Sequence, residues 1–152
     1  GFFEALKHEF QTYIKNVLAN AKMLAETLKN NGFKIYSGGT DTHLMLVDLR
    51  PFNVKGNLAS ESLCRANITC NKNGIPFDTE KPMITSGIRL GSQAATTRGF
   101  GLKEFEKVGN LITKVIKGLS ENPEDNSKVE NEVRDEVINL CSNFPIYKNL
   151  NK

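Results

Sequence analysis

An arginine flanked by glycines is the residue of this sequence best suited to bind a ligand. Arg89 lies within the segment 85–91, with Gly87 and Gly91 two positions to either side. On a strand these three residues point to one face, and the apolar residues between them point to the other. A guanidinium on a face cleared by glycines can hold a carboxylate through two parallel hydrogen bonds, which lysine cannot reproduce. The pattern predicts that Arg89 binds the α-carboxylate of an amino acid.

The same pattern allows a second interpretation of Arg89. An arginine near the end of a strand can tip its side chain into solvent or pair with an acid, because a charged side chain is rarely buried without a partner. The spacing alone leaves both interpretations open.

The composition is that of an ordinary globular protein. A chain of 152 residues, 39% hydrophobic and 24% charged, suits one domain. The net charge of +3 is small and scattered, so we expect neither nucleic acid nor a membrane as a partner. The longest aliphatic run, residues 44–47, is too short to span a bilayer. The first residues include acids and no apolar signal core, so we expect no export.

The three cysteines favour a reducing compartment. Cys64, Cys70 and Cys141 are odd in number and widely spaced, and they form no metal-binding pattern. We therefore expect reduced thiols, no bound metal and a cytoplasmic protein.

Residues 1–32 predict one long amphipathic helix. From Phe3 to Asn30 the apolar residues recur at intervals of three and four, which is the spacing of one helical face. Asn31 and Gly32 then supply a left-handed stop. The length exceeds the average for globular proteins, which indicates a connecting helix.

Residues 33–119 predict a core of strands and helices. The segment 43–49 is the strongest strand, and because it is apolar on both faces we expect it to be central and covered on each side. Further strands are predicted at 33–37, 68–71 and 83–90, with a short helix at 56–65 and a turn or short helix at 94–100. This order indicates an α+β fold with a small, mostly antiparallel sheet of three to four strands covered by helices.

The last part of the chain predicts two helices and a linker. Apolar stripes mark helices at 102–119 and 128–144, and the acidic, proline-containing segment 120–127 separates them. We expect the lysine- and asparagine-rich end after Tyr147 to be frayed. The chain is thus predicted to be a single domain over 1–152, ending in a helix and tail at 128–152.

Several sequence blocks carry a resemblance to a known family. They are Ser37-Gly38-Gly39-Thr40-Asp41 with His43-Leu44, Arg65-Ala66-Asn67-Ile68-Thr69, Asn71-Lys72-Asn73 with Pro76, Thr85-Ser86-Gly87-Ile88-Arg89-Leu90-Gly91, and Thr97-Arg98-Gly99-Phe100. In order and spacing they resemble the C-terminal part of serine hydroxymethyltransferase, and the likeness covers nearly the whole chain.

The resemblance implies a fold and an activity. The fold would be the C-terminal small domain of a fold-type I pyridoxal-phosphate enzyme. The family transfers a one-carbon unit from L-serine to tetrahydrofolate and forms glycine and methylenetetrahydrofolate. Its pyridoxal phosphate is bound by a large domain, which would be the partner of this chain, and the full-length enzyme would be a homodimer.

The resemblance also assigns roles to residues. Arg89 falls on the arginine that holds the substrate carboxylate. Asn73 falls on an asparagine that contacts the folate pterin. Lys81, Pro82 and Met83 fall on a short stretch that lines the folate site.

The family's cofactor lysine has no counterpart here. That lysine follows a histidine, whereas His8 precedes Glu9 and His43 precedes Leu44. Because the cofactor supplies the electron sink of this chemistry, the resemblance implies no catalytic residue in this chain and no activity of the chain alone.

Two other interpretations stay open at this stage. The chain could be the small domain of another fold-type I pyridoxal-phosphate enzyme, which would share a carboxylate-binding arginine. It could also be a free-standing amino-acid-binding or interaction module without chemistry.

Overall fold

The structure is a computed structural model that describes residues 1–147, and the tail predicted to fray after Tyr147 lies outside the described residues. The helices are α1 (Phe2–Ala5), α2 (His8–Asn30), α3 (Gly56–Arg65), α4 (Gln93–Arg98), α5 (Leu102–Glu121) and α6 (Ser127–Ser142). The strands are β1 (Lys34–Ile35), β2 (Leu44–Asp48), β3 (Asn71–Asn73) and β4 (Gly87–Gly91). The predicted α+β class, with a small antiparallel sheet and a long N-terminal helix, is confirmed.

The sheet has the strand order β1-β2-β4-β3, and each neighbouring pair is antiparallel. The two central strands pair so that Leu46 lies opposite Arg89. Alternate residues of these strands are buried against the helices because side chains on a strand alternate between faces. The buried residues of the helix-facing side are Met45, Val47, Ile88 and Leu90.

The opposite face of the sheet is only partly covered within the described residues. At one end Asp48 is 1% exposed, and its carboxylate accepts hydrogen bonds from the guanidinium of Arg50. At the other end Leu44 and Arg89 are exposed and Leu46 is half-buried. The expectation that the strand at 43–49 is covered on both sides is therefore wrong, because the hydrophobic core built with the helices excludes both leucines.

The N-terminal helix is interrupted, unlike the continuous helix expected from Phe3. Lys7 is extended, with φ −75° and ψ 149°, and separates the four-residue α1 from α2. No residue of α1 is buried, and Phe2 and Phe3 are 94% and 86% exposed. A short helical segment without packing gains too little free energy to offset the cost of helix nucleation. The apolar spacing therefore extends beyond the N-terminal end of α2, although the continuous helix does not.

The two later strands begin further along the chain than the predicted starts at 68 and 83. β3 starts at Asn71 and β4 at Gly87. Before β4, the amides of Ile84 and Thr85 both donate to the carbonyl of Lys81, and Thr85 has a φ of 61°. A turn with a left-handed residue cannot continue a strand ladder, so apolar spacing alone overestimates the strand.

The helical core is centred on the crossing of α2 and α5. Gly109 of α5 faces Thr27 of α2, and a Cβ at position 109 would lie 2.7 Å from Thr27 Cγ2. Glycine therefore lets the two helices approach closely. The fully buried side chains around this crossing include Leu24, Leu28, Ile112 and Ile116.

A buried carboxylate joins α6 to α3. Glu130 is 4% exposed and accepts two hydrogen bonds from Arg65, each of 2.7 Å, and one of 2.6 Å from the Ser62 hydroxyl. Asn126 donates to the same hydroxyl and to the carbonyl of Val115. The guanidinium of Arg65 lowers the pKa of Glu130, an effect that outweighs the opposing effect of burial.

We predict that Glu130→Gln lowers the free energy of unfolding at pH 7 by about 1–3 kcal/mol, because the charge-assisted bonds to the half-exposed Arg65 are lost. The folded-state pKa of Glu130 is depressed below its ordinary value of 4.5, so the ionic stabilisation is complete above that pH and is lost as the pH falls through the folded-state pKa. The difference between variant and parent should therefore shrink under acid. Urea unfolding at pH 7 and near pH 3 measures it.

The matched control for this prediction is Glu124→Gln, which removes an exposed carboxylate. We expect it to leave stability within about 0.5 kcal/mol of the parent. A Glu130→Gln variant that loses stability in parallel with the parent on acidification would contradict the assignment of the acid dependence to this group.

Candidate functional site

Arg89 stands on the partly open face of the sheet. Its side chain is exposed, with Leu46 opposite on one neighbouring strand and Asn71 opposite on the other. Within residues 1–147 no carboxylate pairs with its guanidinium. One side-chain hydrogen bond is present, from Arg89 Nη2 to Asn71 Oδ1 at 3.5 Å. The cationic group is thus placed where an anion from outside can reach it.

The glycines beside Arg89 do not both clear space for a ligand. A Cβ on Gly87 would lie 2.6 Å from Ile75 Cγ2 and 2.7 Å from the carbonyl oxygen of Val47. Ile75 is 5% exposed and therefore fills the space that this glycine leaves. The prediction that glycines open the face to a ligand is wrong at Gly87, because the space beside this glycine is used for packing within the chain.

Asn73 shares the face of Arg89. It lies opposite Gly87, while Asn71, two residues earlier on the same strand, lies opposite Arg89, so both asparagines point to the side of the guanidinium. The Asn73 side chain is half-buried, and its amide donates to the carbonyl of Gly74 at 2.7 Å. This bond uses the side-chain nitrogen of Asn73 and leaves its side-chain oxygen available to accept from another donor.

Lys81, Pro82 and Met83 lie on an exposed loop before β4. Met83 is 74% exposed, and the carbonyl of Lys81 accepts the two amides that close the turn. Among the described side-chain hydrogen bonds, none joins these three residues to Arg89 or Asn73. The fold therefore brings two of the five predicted site residues onto one face and leaves the other three on an adjoining loop.

Asp78 fastens that loop to the start of β4. Its carboxylate accepts hydrogen bonds from the amides of Ile75, Glu80 and Ser86 at 3.1, 3.0 and 2.9 Å, and from the Ser86 hydroxyl at 2.7 Å. Desolvation alone would raise the pKa of Asp78, but these bonds outweigh it and hold the pKa well below its ordinary value. Sequence reasoning missed this residue, although an acid directly after a proline turn was a usable signal.

The loop also contains a strained aromatic residue. The amide of Asp78 donates to the carbonyl of Ile75 at 3.0 Å, Pro76 takes the second position of this turn, and Phe77 takes the third with a φ of 58°. These are features of a type II turn, whose third position normally holds glycine or asparagine. Phe77 is 99% exposed, so no packing within the described residues compensates for the left-handed conformation.

The other end of β4 is anchored to α2. Ser92 is fully buried, and its hydroxyl donates to the carbonyl of Val17 at 2.8 Å. The buried amide of Asn20 donates to the Thr96 hydroxyl at 2.9 Å and to the carbonyl of Phe100 at 3.0 Å. These contacts fix the segment that follows Gly91, so the strand bearing Arg89 is held at both ends.

A cavity of about 380 Å³ opens beside Arg89 at this end of the sheet. Its polar lining comes from Asn71, Arg89 and Gln93, while most of the remaining wall is apolar and includes Leu44. The combination suits a small ligand that presents an anionic group to the guanidinium.

Within residues 1–147 no group of three or more histidine, cysteine, aspartate or glutamate side chains is placed to hold a metal ion. None of the helices formed there combines the length and the apolar character needed to cross a membrane.

We predict that Phe77→Asn raises the free energy of unfolding by roughly 0.5–1 kcal/mol, because asparagine adopts the left-handed conformation at lower cost than phenylalanine. The exposed ring contributes no packing that the substitution would remove. Equilibrium urea unfolding measures the gain. Phe77→Leu is the matched control, and equal stability of the two variants would contradict strain at this position.

Comparisons with known proteins give one consistent result. The family model described as serine hydroxymethyltransferase matches residues 1–112. The chain is 85% identical over 150 residues to a serine hydroxymethyltransferase of Pelagibacter ubique, covering 99% of this chain and 34% of that protein. It is 65% identical over 148 residues to that of Marinomonas sp. and 62% identical over 148 residues to that of Paramagnetospirillum magneticum, covering 97% of this chain and 35% of each relative. The chain spans about a third of the length of the curated relatives it matches.

Proposed function

Because this chain belongs to the serine hydroxymethyltransferase family, we propose that it is the C-terminal part of an enzyme that transfers a one-carbon unit from L-serine to tetrahydrofolate. Glycine and methylenetetrahydrofolate are the products, which makes the enzyme a transferase of one-carbon metabolism and glycine biosynthesis. The observation that carries the proposal is the exposed Arg89, which has no carboxylate partner within residues 1–147.

In this proposal Arg89 holds the α-carboxylate of serine. Two other arginines of the chain support the assignment by contrast. Arg50 donates hydrogen bonds to the buried Asp48, and Arg65 donates to the buried Glu130, each through both Nε and Nη2. The same fork on Arg89 is open to an external carboxylate, and two parallel charged hydrogen bonds would fix the amino acid in orientation as well as in place.

We assign part of the folate site to Asn73, Lys81, Pro82 and Met83. Asn73 supports this assignment because it stands on the face of Arg89, so one ligand at each residue would bring the two reactants together. The loop 81–83 supports it through its exposure and through its attachment to β4 by Asp78. Folate carries a flat pterin ring, and exposed Met83 offers an apolar surface against which such a ring can pack.

The strands that the structure describes do not offer an attachment point for pyridoxal phosphate, the family's cofactor. The strands contain two lysines, and Lys72 lies on the helix-facing side, opposite Ile88. Lys34 shares the side of Arg89, but it lies 4.0 Å from the carboxylate of Asp48 and over the ring of Tyr36. Neither lysine of the described strands therefore places a free amine beside Arg89 for attachment of the cofactor. In our proposal the cofactor belongs to the large domain, with which this chain forms one wall of a cleft.

The complete enzyme is proposed to be a cytoplasmic homodimer. Cys64, Cys70 and Cys141 are free thiols in the structure, which suits a reducing compartment. Burial raises the pKa of the Cys70 thiol to about 12, so this cysteine stays protonated at neutral pH.

The proposal predicts that Arg89→Ala in the full-length enzyme raises KM for serine on the order of a hundredfold, since two charge-assisted hydrogen bonds of about 1.5 kcal/mol each are lost. Arg89→Lys should recover less than about tenfold, because an ammonium cannot form the planar fork. Steady-state kinetics with varied serine and saturating tetrahydrofolate measures both values.

Arg134→Ala is the control, because Arg134 lies on α6 and bonds to the backbone carbonyl of Arg65. We expect its KM for serine to match that of the parent. An unchanged KM in Arg89→Ala would remove Arg89 from the proposed role.

A further prediction separates a domain of an enzyme from a free-standing amino-acid-binding module. The isolated chain should show no measurable heat of binding with L-serine at millimolar concentration, because one solvent-exposed guanidinium contributes little on its own. It should also catalyse no hydroxymethyl transfer. Tight serine binding by the isolated chain would favour the binding module.

A further inference from the structure

The neighbour of Arg89 on β3 is an asparagine in direct register with it. Asn71 pairs with Arg89 in the antiparallel ladder, so the two side chains leave the sheet side by side on the same face. Arg89 Nη2 donates to Asn71 Oδ1 at 3.5 Å, and this is the only side-chain hydrogen bond of Arg89 within residues 1–147. The opposite neighbour, Leu46, has no polar atom in its side chain and cannot orient the guanidinium.

The geometry of this contact leaves most of the guanidinium free. Arginine carries five N–H donors in a fixed plane, and Asn71 uses one of them, on Nη2. The remaining donors of the fork can still meet both oxygens of a carboxylate. The contact of Asn71 with Nη2 therefore restricts the orientation of the guanidinium plane but leaves its other donors free.

The chemical identity of the neighbour matters as much as its position. Two other arginines of the chain are neutralised by an acid: Asp48 pairs with Arg50, and Glu130 pairs with Arg65. Beside Arg89 the acceptor is a neutral amide of nearly the same shape as aspartate. A carboxylate at position 71 would pair with the guanidinium and compete with any carboxylate ligand, whereas an amide oxygen leaves the positive charge uncompensated.

We propose that Asn71 is a positioning residue for Arg89, which orients the guanidinium through its side-chain oxygen and keeps the positive charge available to the substrate carboxylate. This inference rests on the proposed function, because it requires Arg89 to bind the carboxylate of serine. In this role Asn71 helps the site select a ligand with a carboxylate, and the site requires the residue at position 71 to be uncharged.

The test compares Asn71→Ala and Asn71→Asp in the full-length enzyme. Alanine removes the orienting contact and should raise KM for serine about threefold to tenfold. Aspartate supplies an oxygen at a similar position but neutralises Arg89, so it should raise KM at least tenfold beyond the alanine variant. A KM for serine in Asn71→Asp that is equal to or lower than that in Asn71→Ala would overturn the charge requirement.

A double-mutant cycle tests whether Asn71 acts through Arg89. In the Arg89→Ala background, Asn71→Ala should leave KM for serine unchanged, since the group that it orients is absent. Equal effects of Asn71→Ala with and without Arg89 would overturn the positioning role.

The KM for tetrahydrofolate distinguishes positioning from simple damage to β3. Asn73 lies two residues away on the same three-residue strand, so a distorted strand would also disturb the folate site. We expect the KM for tetrahydrofolate to stay within twofold of the parent in both Asn71 variants. A parallel rise in both KM values would mean that Asn71 has a structural role and would overturn the inference.

Asn53→Asp is the matched control for charge. Asn53 is exposed and follows the turn after β2, so the variant adds the same carboxylate outside the ladder of Arg89. It should leave KM for serine unchanged, and a rise as large as that of Asn71→Asp would overturn the local charge argument.

Failure of this inference is distinguishable from failure of the proposed function. If Arg89→Ala raises KM for serine and both Asn71 variants leave it unchanged, the role of Asn71 is wrong and that of Arg89 stands. If Arg89→Ala itself has no effect, the assignment of Arg89 and the inference fall together.

Discussion

The register of β4 between its two neighbours is the constraint on which the candidate site depends. Because side chains alternate along a strand, a slip by one residue would turn Arg89 into the core and expose Ile88 and Leu90. The ladder places Arg89 between Leu46 and Asn71, and it is this pairing that gives the guanidinium one apolar and one polar neighbour. The site is therefore a property of the pairing as much as of the residues.

Several contacts outside the ladder hold that register. At the start of β4 the carboxylate of Asp78 binds both the amide and the hydroxyl of Ser86, and the amide of Leu49 donates to the Ser86 carbonyl. At the far end the buried hydroxyl of Ser92 binds α2. Each of these polar groups is satisfied at a fixed position along the chain, so a shifted strand would leave buried donors and acceptors without partners, at a cost of about 1–3 kcal/mol each.

Patterns of apolar residues predicted the parts of the fold that depend on burial. The central strand at 43–49 was visible as an apolar run, and α5 and α6 were visible as apolar stripes at helical spacing. The break at Lys7, the late start of β4 and the role of Gly87 depend instead on turns and on contacts distant in sequence, which spacing does not encode. Arg89 could be singled out as a single charge in an apolar segment, whereas the contacts of Asp78 with Ser86 and of Asn71 with Arg89 join segments that lie apart in sequence.

The attachment of β4 to α2 has a mechanical consequence. α2 has 23 residues, so it is a rod of roughly 34 Å, and Val17 and Asn20 near its middle are bonded to the segment that follows the strand. A tilt of this rod would carry the end of β4 with it and change the direction in which the guanidinium is aimed. The extended backbone at Lys7 ends this rod, so the unburied residues of α1 are not part of it.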